Sequence, residues 1–362
     1  MRLAVIGAGA GVFKMHQAAL DVPDVELVGL SDLNEEPARS RARELGVPYF
    51  ANHGVLLSAV TPDAVAIMAP HPFHAPLALD ALRVGVHVLV EKPIAVQVAE
   101  ADTMIATAAD VQRLLAVNLQ HRTRSEIRTA RKLIESGTLG EIQRVEVVAT
   151  WTRTQAYYAQ AGWRGTWRGE GGGVLMNQAP HTLDVLCHLV GPPSRVVAWN
   201  RTLYHAIETE DTAQAMLEWP NGALGMLLVS TALAGEPERL EIVGRRGALL
   251  LHGGKLLFSE LSTDLHDVLR DDPNPFAKPS FAPRVLELEP GGGDHRAIYT
   301  NFVSAVQAGA PLVADGTQGR MSLELANALI YSSHTGQSVE LPLSRAAYAG
   351  LLEELQVAQV LT

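Results

Sequence analysis

Glu91-Lys92-Pro93 puts an amine directly after the apolar run Val86 to Val90. In open parallel sheets ligands collect beyond the carboxyl ends of strands, and the proline restricts the backbone, so Lys92 is aimed at the expected crevice. The plain alternative is a solvated loop lysine ahead of a helix-starting proline. A second dense group, Glu170 followed by Gly171, Gly172 and Gly173 and then by Asn177, His181 and Asp184, lies in the other half of the chain. Three glycines permit close backbone packing. Spacings of four and three residues then place Asn177, His181 and Asp184 on one helical face beside Leu183, Leu186 and Leu189, although Pro180 marks a point where the helix can begin. An amine and an imidazole brought together can hold a hydroxyl group and move its proton. Alternatively, His181 and Asp184 only satisfy each other where the helix packs. His181, Asp184 and His188 lack the ligand spacings of zinc sites, so no metal is expected.

Gly7, Gly9 and Gly11 follow the apolar run Leu3 to Ile6 and precede a helical pattern. Such glycines let the backbone turn tightly and approach a pyrophosphate, whose charge is met by amides where the helix opens. Val12 stands where a third glycine is usual, so Gly11 substitutes or the turn is longer; Val12 and Phe13 are counted with the loop. Asp32 ends the second apolar run 21 residues beyond Gly11, where a carboxylate can accept hydrogen bonds from a ribose diol. Leu33 and Asn34 follow with no arginine for a 2′-phosphate, which favours NAD over NADP. Asp32 could instead cap a helix ahead of Glu35 and Glu36.

Tyr157, Trp163 and Arg164 belong to a segment rich in aromatic and guanidinium groups, suited to stacking on a sugar ring and binding hydroxyls, or simply to covering a sheet edge. Arg122 follows the apolar run Leu114 to Val117 and is a further candidate for the substrate. Pro70, His71 and His74 are expected to line the nucleotide crevice, and His16 to pack into the first crossover helix. Arg153, Arg164 and Arg168 hint at an acidic substrate without establishing one.

These groups need a scaffold of about two cores for 362 residues. Through residue 121, strands at Leu3 to Ile6, Val25 to Leu30, Ala64 to Met68, Val86 to Val90 and Leu114 to Val117 alternate with helical patterns at Val12 to Leu20, Glu35 to Leu45, His74 to Val84 and Val98 to Ala109. That alternation predicts an α/β Rossmann domain, a doubly wound parallel sheet covered on both faces. Residues 122–362 form a second, α+β domain. Its runs at Ile142 to Trp151, Arg195 to Leu203, Thr212 to Trp219 and Ala223 to Thr231, with turns at Asn221-Gly222 and Gly244 to Gly247, predict a large, mainly antiparallel, open-faced sheet. The stretch Asp271 to Pro283, with four prolines in thirteen residues, reads as an irregular loop. Helices return at Arg296 to Ala308, Arg320 to Ser333 and Arg345 to Val357. One sheet face left uncovered implies a homodimer or homotetramer. With 29 basic and 39 acidic residues the net charge is −10, which disfavours nucleic acid and anionic membranes. Cys187, the only cysteine, sits on an apolar helical face and reads as a buried hydrophobe. No secretion signal or membrane-spanning run is evident, so a cytoplasmic protein is expected.

The glycine loop, Asp32, the segment Pro70 to His74, Glu91-Lys92-Pro93 and the glycine block with His181 and Asp184 together resemble the glucose-fructose oxidoreductase, inositol dehydrogenase and rhizopine-catabolism (Gfo/Idh/MocA) family. The similarity extends to the closing segments around Asn301-Phe302, Pro311 and Gly336 to Pro342. The resemblance implies an NAD(P)-dependent oxidoreductase that moves a hydride between nicotinamide and a secondary alcohol of a sugar, sugar derivative or inositol. It implies that Lys92 reaches nicotinamide and substrate, that His181 transfers the proton, and that Trp163 and Arg164 lie near the nicotinamide. Asn177 departs from the aspartate common at its position; an amide cannot accept a proton, so Asn177 is read as an orienting group. Whether His181 or Lys92 takes the substrate proton stays open. So do two other activities: redox cycling on tightly held NAD in glycoside hydrolysis or elimination, and NAD binding without turnover.

Overall fold

The computed structural model describes residues 1–9, 11–235 and 237–357. The apolar runs of the first third form strands β1 (Arg2–Ile6), β2 (Glu26–Ser31), β3 (Tyr49–Phe50), β4 (Ala64–Ile67), β5 (His87–Val90) and β6 (Leu115–Val117). They pair in parallel in the order β3-β2-β1-β4-β5-β6. Chain order reverses between β1 and β4, the point at which such sheets open a crevice beyond their carboxyl ends. Nearly every residue of β1, β4 and β5 is buried, which demands helices on both faces. Glu35–Leu45, His53–Val60, His74–Arg83 and Val98–Asp110 supply them.

The first helix spans only Phe13–Gln17, shorter than the expected Val12 to Leu20. Strand β3 and helix His53–Val60 carry too short a pattern to stand out in sequence; the helix is marked mainly by Asn52, whose side chain accepts the Val55 N–H at 3.1 Å.

The second sheet contains β7 (Ile142–Thr150), β8 (Arg195–Arg201), β9 (Thr212–Glu218), β10 (Leu224–Ser230), β11 (Arg239–Gly244), β12 (Gly247–His252), β13 (Lys255–Leu261), β14 (Phe281–Val285) and β15 (Val339–Glu340). Its order is β14-β13-β12-β11-β7-β10-β9-β8-β15, antiparallel except where β7 meets β10. Period-two burial along β7 to β10 separates the faces. Val145, Val147, Ala149, Leu217 and Leu227 enter the core shared with helices Pro180–Val190 and Gly316–Thr335. Trp199, Met216, Leu224 and Met226 face outward and are exposed. The proline-rich stretch is not wholly irregular: its end begins β14, which pairs with β13.

The chain also returns to its start. Ile298, Tyr299, Phe302 and Val303 of helix His295–Ala308 share one core with Leu3, Val5, Leu30 and Met68. The closing helices thus brace both sheets and fix the relative placement of the groups each sheet carries.

Candidate active site

Lys92 and His181, 89 positions apart in sequence, line one cavity of about 890 Å³. Its walls also include Gly9, Gly11, Val12, Asp32, Pro70 and His71 from the nucleotide side. The other half contributes Arg153, Tyr157, Trp163, Arg164, Asn177 and Gln178. The volume suits a cofactor with a small substrate.

Lys92 Nζ donates to the Asn177 backbone oxygen at 2.7 Å. Burial pushes the amine below the usual lysine range, reinforced by the nearby Arg164 and opposed by Glu91 and Glu170. Glu91 itself is held well below the usual carboxylate range. Burial opposes its ionisation, but hydrogen bonds from His16 and Asn118, with Lys92 beside it, prevail. His16 therefore does more than pack its helix: Nε2 lies 2.8 Å from Glu91 Oε1 and Nδ1 2.9 Å from the Tyr299 hydroxyl.

His181 sits in the first turn of helix Pro180–Val190, which begins at the proline. Asn177 belongs to a separate short helix, Val174–Asn177, so the two are neighbours without sharing one continuous face. Burial, then His121 and Lys92, push the His181 imidazole well below its usual range, which keeps the ring neutral. Its ring stacks on His121 with centroids 4.2 Å apart and planes 22° from parallel, and its Nδ1 is enclosed without a partner. His121 Nε2 accepts from Arg124 at 2.6 Å, and burial and Arg124 push that ring down to about 3.

The Asn177 side chain does not orient His181; its amide donates to Glu170 Oε1. Glu170 Oε2 accepts the Gly165 N–H at 2.5 Å, and burial raises this carboxyl above its usual range despite both bonds. Behind it, Glu210 Oε1 accepts the N–H groups of Gly173 and Leu175 at 2.9 and 3.0 Å. The glycine block owes its composition to this approach: a Cβ on Gly173 would lie 1.9 Å from the Glu210 carbonyl oxygen.

On the nucleotide side, Asp32 Oδ2 accepts the Gly9 N–H at 2.7 Å and Oδ1 the Asn34 N–H at 2.6 Å. A Cβ on Gly9 would meet the Asp32 carboxyl carbon at 2.8 Å. The carboxylate is thereby held at the cavity wall with lone pairs left for a ribose diol, so these residues fit an adenosine dinucleotide. The 5-residue first helix supplies little dipole, which leaves this fit to rest on the loop and Asp32. Gly7 and Phe13 lie beneath the lining. Gly7 donates to Ser31 at 2.8 Å, and Phe13 is in the core with the Arg41 guanidinium 5.0 Å from its ring centre. His74, buried between the Pro93 and Ala69 carbonyls at 2.7 Å each, ties the loops after β4 and β5 together. His71 reaches across to the Glu170 carbonyl at 3.2 Å.

Arg122 and Asp184 do not reach the cavity. They bind each other in the interior, with Arg122 Nη2 2.6 Å and Nε 2.9 Å from the Asp184 carboxylate, and Arg122 continues to Val313 and Gln318. A charged pair this deep fills its hydrogen bonds internally and has none left for a substrate. Glu170, His121, Gln178 and His295 border or support the cavity, and sequence reasoning did not select them for the site. Glu170 alone carried a signal, as the head of the glycine block.

Known proteins match this chain in both of its halves. Residues 1–119 match the NAD-binding Rossmann fold of an oxidoreductase family, and residues 127–250 match the GFO/IDH/MocA C-terminal domain. D-glucoside 3-dehydrogenase of Escherichia coli is 28% identical over 94% of this chain and 97% of its own. Myo-inositol 2-dehydrogenase of Thermotoga maritima is 24% identical over 94% and 98% respectively. The crystal structure of the WlbA dehydrogenase from Bordetella pertussis in complex with NADH and UDP-GlcNAcA is 29% identical, covers 95% of this chain and 99% of its own, and has a TM-score of 0.80. With an NAD-binding domain leading into that C-terminal domain, the chain belongs to the Gfo/Idh/MocA family of oxidoreductases and is an enzyme of the sugar and inositol dehydrogenase type.

Proposed function

We propose that this enzyme oxidises a secondary alcohol of a sugar, sugar derivative or inositol with NAD, or runs the reverse reduction. The carrying observation is that Lys92 from one domain and His181 from the other line a single cavity with Gly9 and Asp32. Nicotinamide, when bound, supplies the hydride acceptor. Lys92, held by the Asn177 carbonyl, keeps N–H groups to donate to the substrate oxygen and steady its developing charge. His181 is neutral and serves as the base that takes the hydroxyl proton. Asn177 positions Lys92 through its backbone, and Tyr157 and Trp163 supply aromatic surface for a ring. The Asp32 carboxylate would repel a 2′-phosphate, which favours NAD over NADP. Incubation with NAD and a panel of aldoses, inositols, anhydrosugars and sugar nucleotides, followed by NADH absorbance, tests the reading. Lys92→Ala should retain NAD binding while turnover falls by at least about a hundredfold; near-normal turnover would refute the assignment.

The open face of the second sheet supports a homo-oligomer. Met216 and Met226 pair across β9 and β10, Trp199 lies one step along on β8, and all three are exposed. No helix among the described residues is long and apolar enough to cross a membrane.

A further inference from the structure

Arg153 and Arg164 both line the cavity, and both guanidinium carbons sit by the Tyr157 ring, 5.3 and 4.5 Å from its centre. Neither is within ion-pair distance of a carboxylate among the described residues. Arg164 Nη1 donates to the Tyr157 hydroxyl at 2.7 Å, and its Nε is enclosed with no acceptor. Arg153 gives one N–H to the neighbouring Thr152 carbonyl. The Tyr157 oxygen also accepts from Gln178 at 3.1 Å, so its own proton is free to donate.

The segment is held rather than loose. The Arg153 N–H binds Thr231 at 2.9 Å, its carbonyl meets His205 Nε2 at 2.9 Å, and the Tyr158 hydroxyl meets Thr231 at 2.7 Å. Nearby carboxyls are already engaged: Glu91 by His16 and Asn118, Glu170 by Gly165 and Asn177. With Lys92, this end of the cavity presents three cations and a phenol donor, while Asp32 occupies the nucleotide end. Unpaired guanidinium groups on a braced backbone form a pre-organised anion seat.

We propose that the substrate carries an anionic substituent, a carboxylate or a phosphate, received by Arg153 and Arg164 beside Tyr157. This deepens, and rests on, the reading of the cavity as a sugar or polyol dehydrogenase site.

The test titrates NADH-loaded enzyme with D-glucuronate, D-glucose 6-phosphate and D-glucose, following binding by calorimetry and turnover of the NAD-loaded form by NADH absorbance. At least one anion should bind about 30-fold or more tighter than glucose, and added salt should weaken that preference. Preference for glucuronate assigns a carboxylate, and preference for the phosphate ester assigns a phosphate. Arg153→Gln should collapse the anion-to-glucose ratio, and Arg153→Lys should retain part of it, which separates charge from folding. Anions binding no better than glucose, or a preference that survives Arg153→Gln, overturns the proposal even if neutral sugars are oxidised. Anion binding that depends on Arg153, with no sugar oxidised, overturns the dehydrogenase reading instead and leaves the anion seat in place.

Discussion

Replacing Asn177 by aspartate restores the residue type common at this position in the family, yet the structure predicts that it harms the protein. The Asn177 amide donates directly to Glu170 Oε1, so Asn177→Asp sets one carboxylate against another. Two unit charges about 4 Å apart at an effective dielectric constant of about 20 repel by about 4 kcal/mol. Lys92 and Arg164 offset part of this, which leaves about 2 to 4 kcal/mol. The folded variant avoids the repulsion by keeping one proton on the pair, a proton that the unfolded chain releases near the ordinary carboxylate pKa of about 4. Because the folded state then binds more protons, stability is intact below about pH 4 and falls as pH rises through the raised pKa of the pair. Wild type shares a weaker form of this slope, since burial already raises Glu170. Urea unfolding of the cofactor-free proteins at pH 5, 6.5 and 8, at matched concentration, should show Asn177→Asp close to wild type at pH 5 and about 2 to 4 kcal/mol less stable at pH 8. Equal stability at pH 8 would refute the argument, because the amide would then not be present to accommodate Glu170.

Two further outcomes concern the same interior and a third the exposed sheet face. Asp184→Ala strands the Arg122 guanidinium and should cost about 3 to 5 kcal/mol in urea unfolding, whereas the double replacement Arg122→Met with Asp184→Leu should recover most of it; a raised KM with unchanged stability would instead put the pair in the substrate site. Burial raises Glu210 from 4.5 to about 7, so its contribution is present below about pH 4.5 and is lost as pH rises through about 7, amounting to about 3 kcal/mol. Glu210→Gln should flatten that segment of the stability profile measured by thermal melts across pH 4.5 to 8, and an unchanged slope would contradict it. Met226→Lys puts a charge in the exposed apolar row of β8 to β10 and should shift the sedimentation coefficient toward that of a monomer, with an unaltered coefficient counting against the sheet-face assembly.

Legibility in the sequence followed the range of each interaction. The Rossmann strands were readable because burial on both faces leaves uninterrupted apolar runs, and Asn221-Gly222 was readable because the turn chemistry is local: Ala223 donates to the Asn221 side chain at 3.2 Å. Lys92 and His181 could be selected because each sits in a short block, after a strand and at a helix start. Partnership was harder to read. The spacing of His181 and Asp184 correctly suggests a helix, but it cannot say that Arg122, 62 residues earlier, holds Asp184 inside. Strand β14 was hidden because edge pairing tolerates the prolines that ordinarily argue for a loop.

Asn177 shows why family patterns and local chemistry must be read together. By sequence the amide looks like the loss of a proton acceptor. In the structure the acceptor for Lys92 is the Asn177 backbone carbonyl, which any residue at that position would offer, and the side chain instead answers Glu170 seven residues earlier. The amide at position 177 therefore answers the carboxyl behind it, while its backbone answers Lys92 in front.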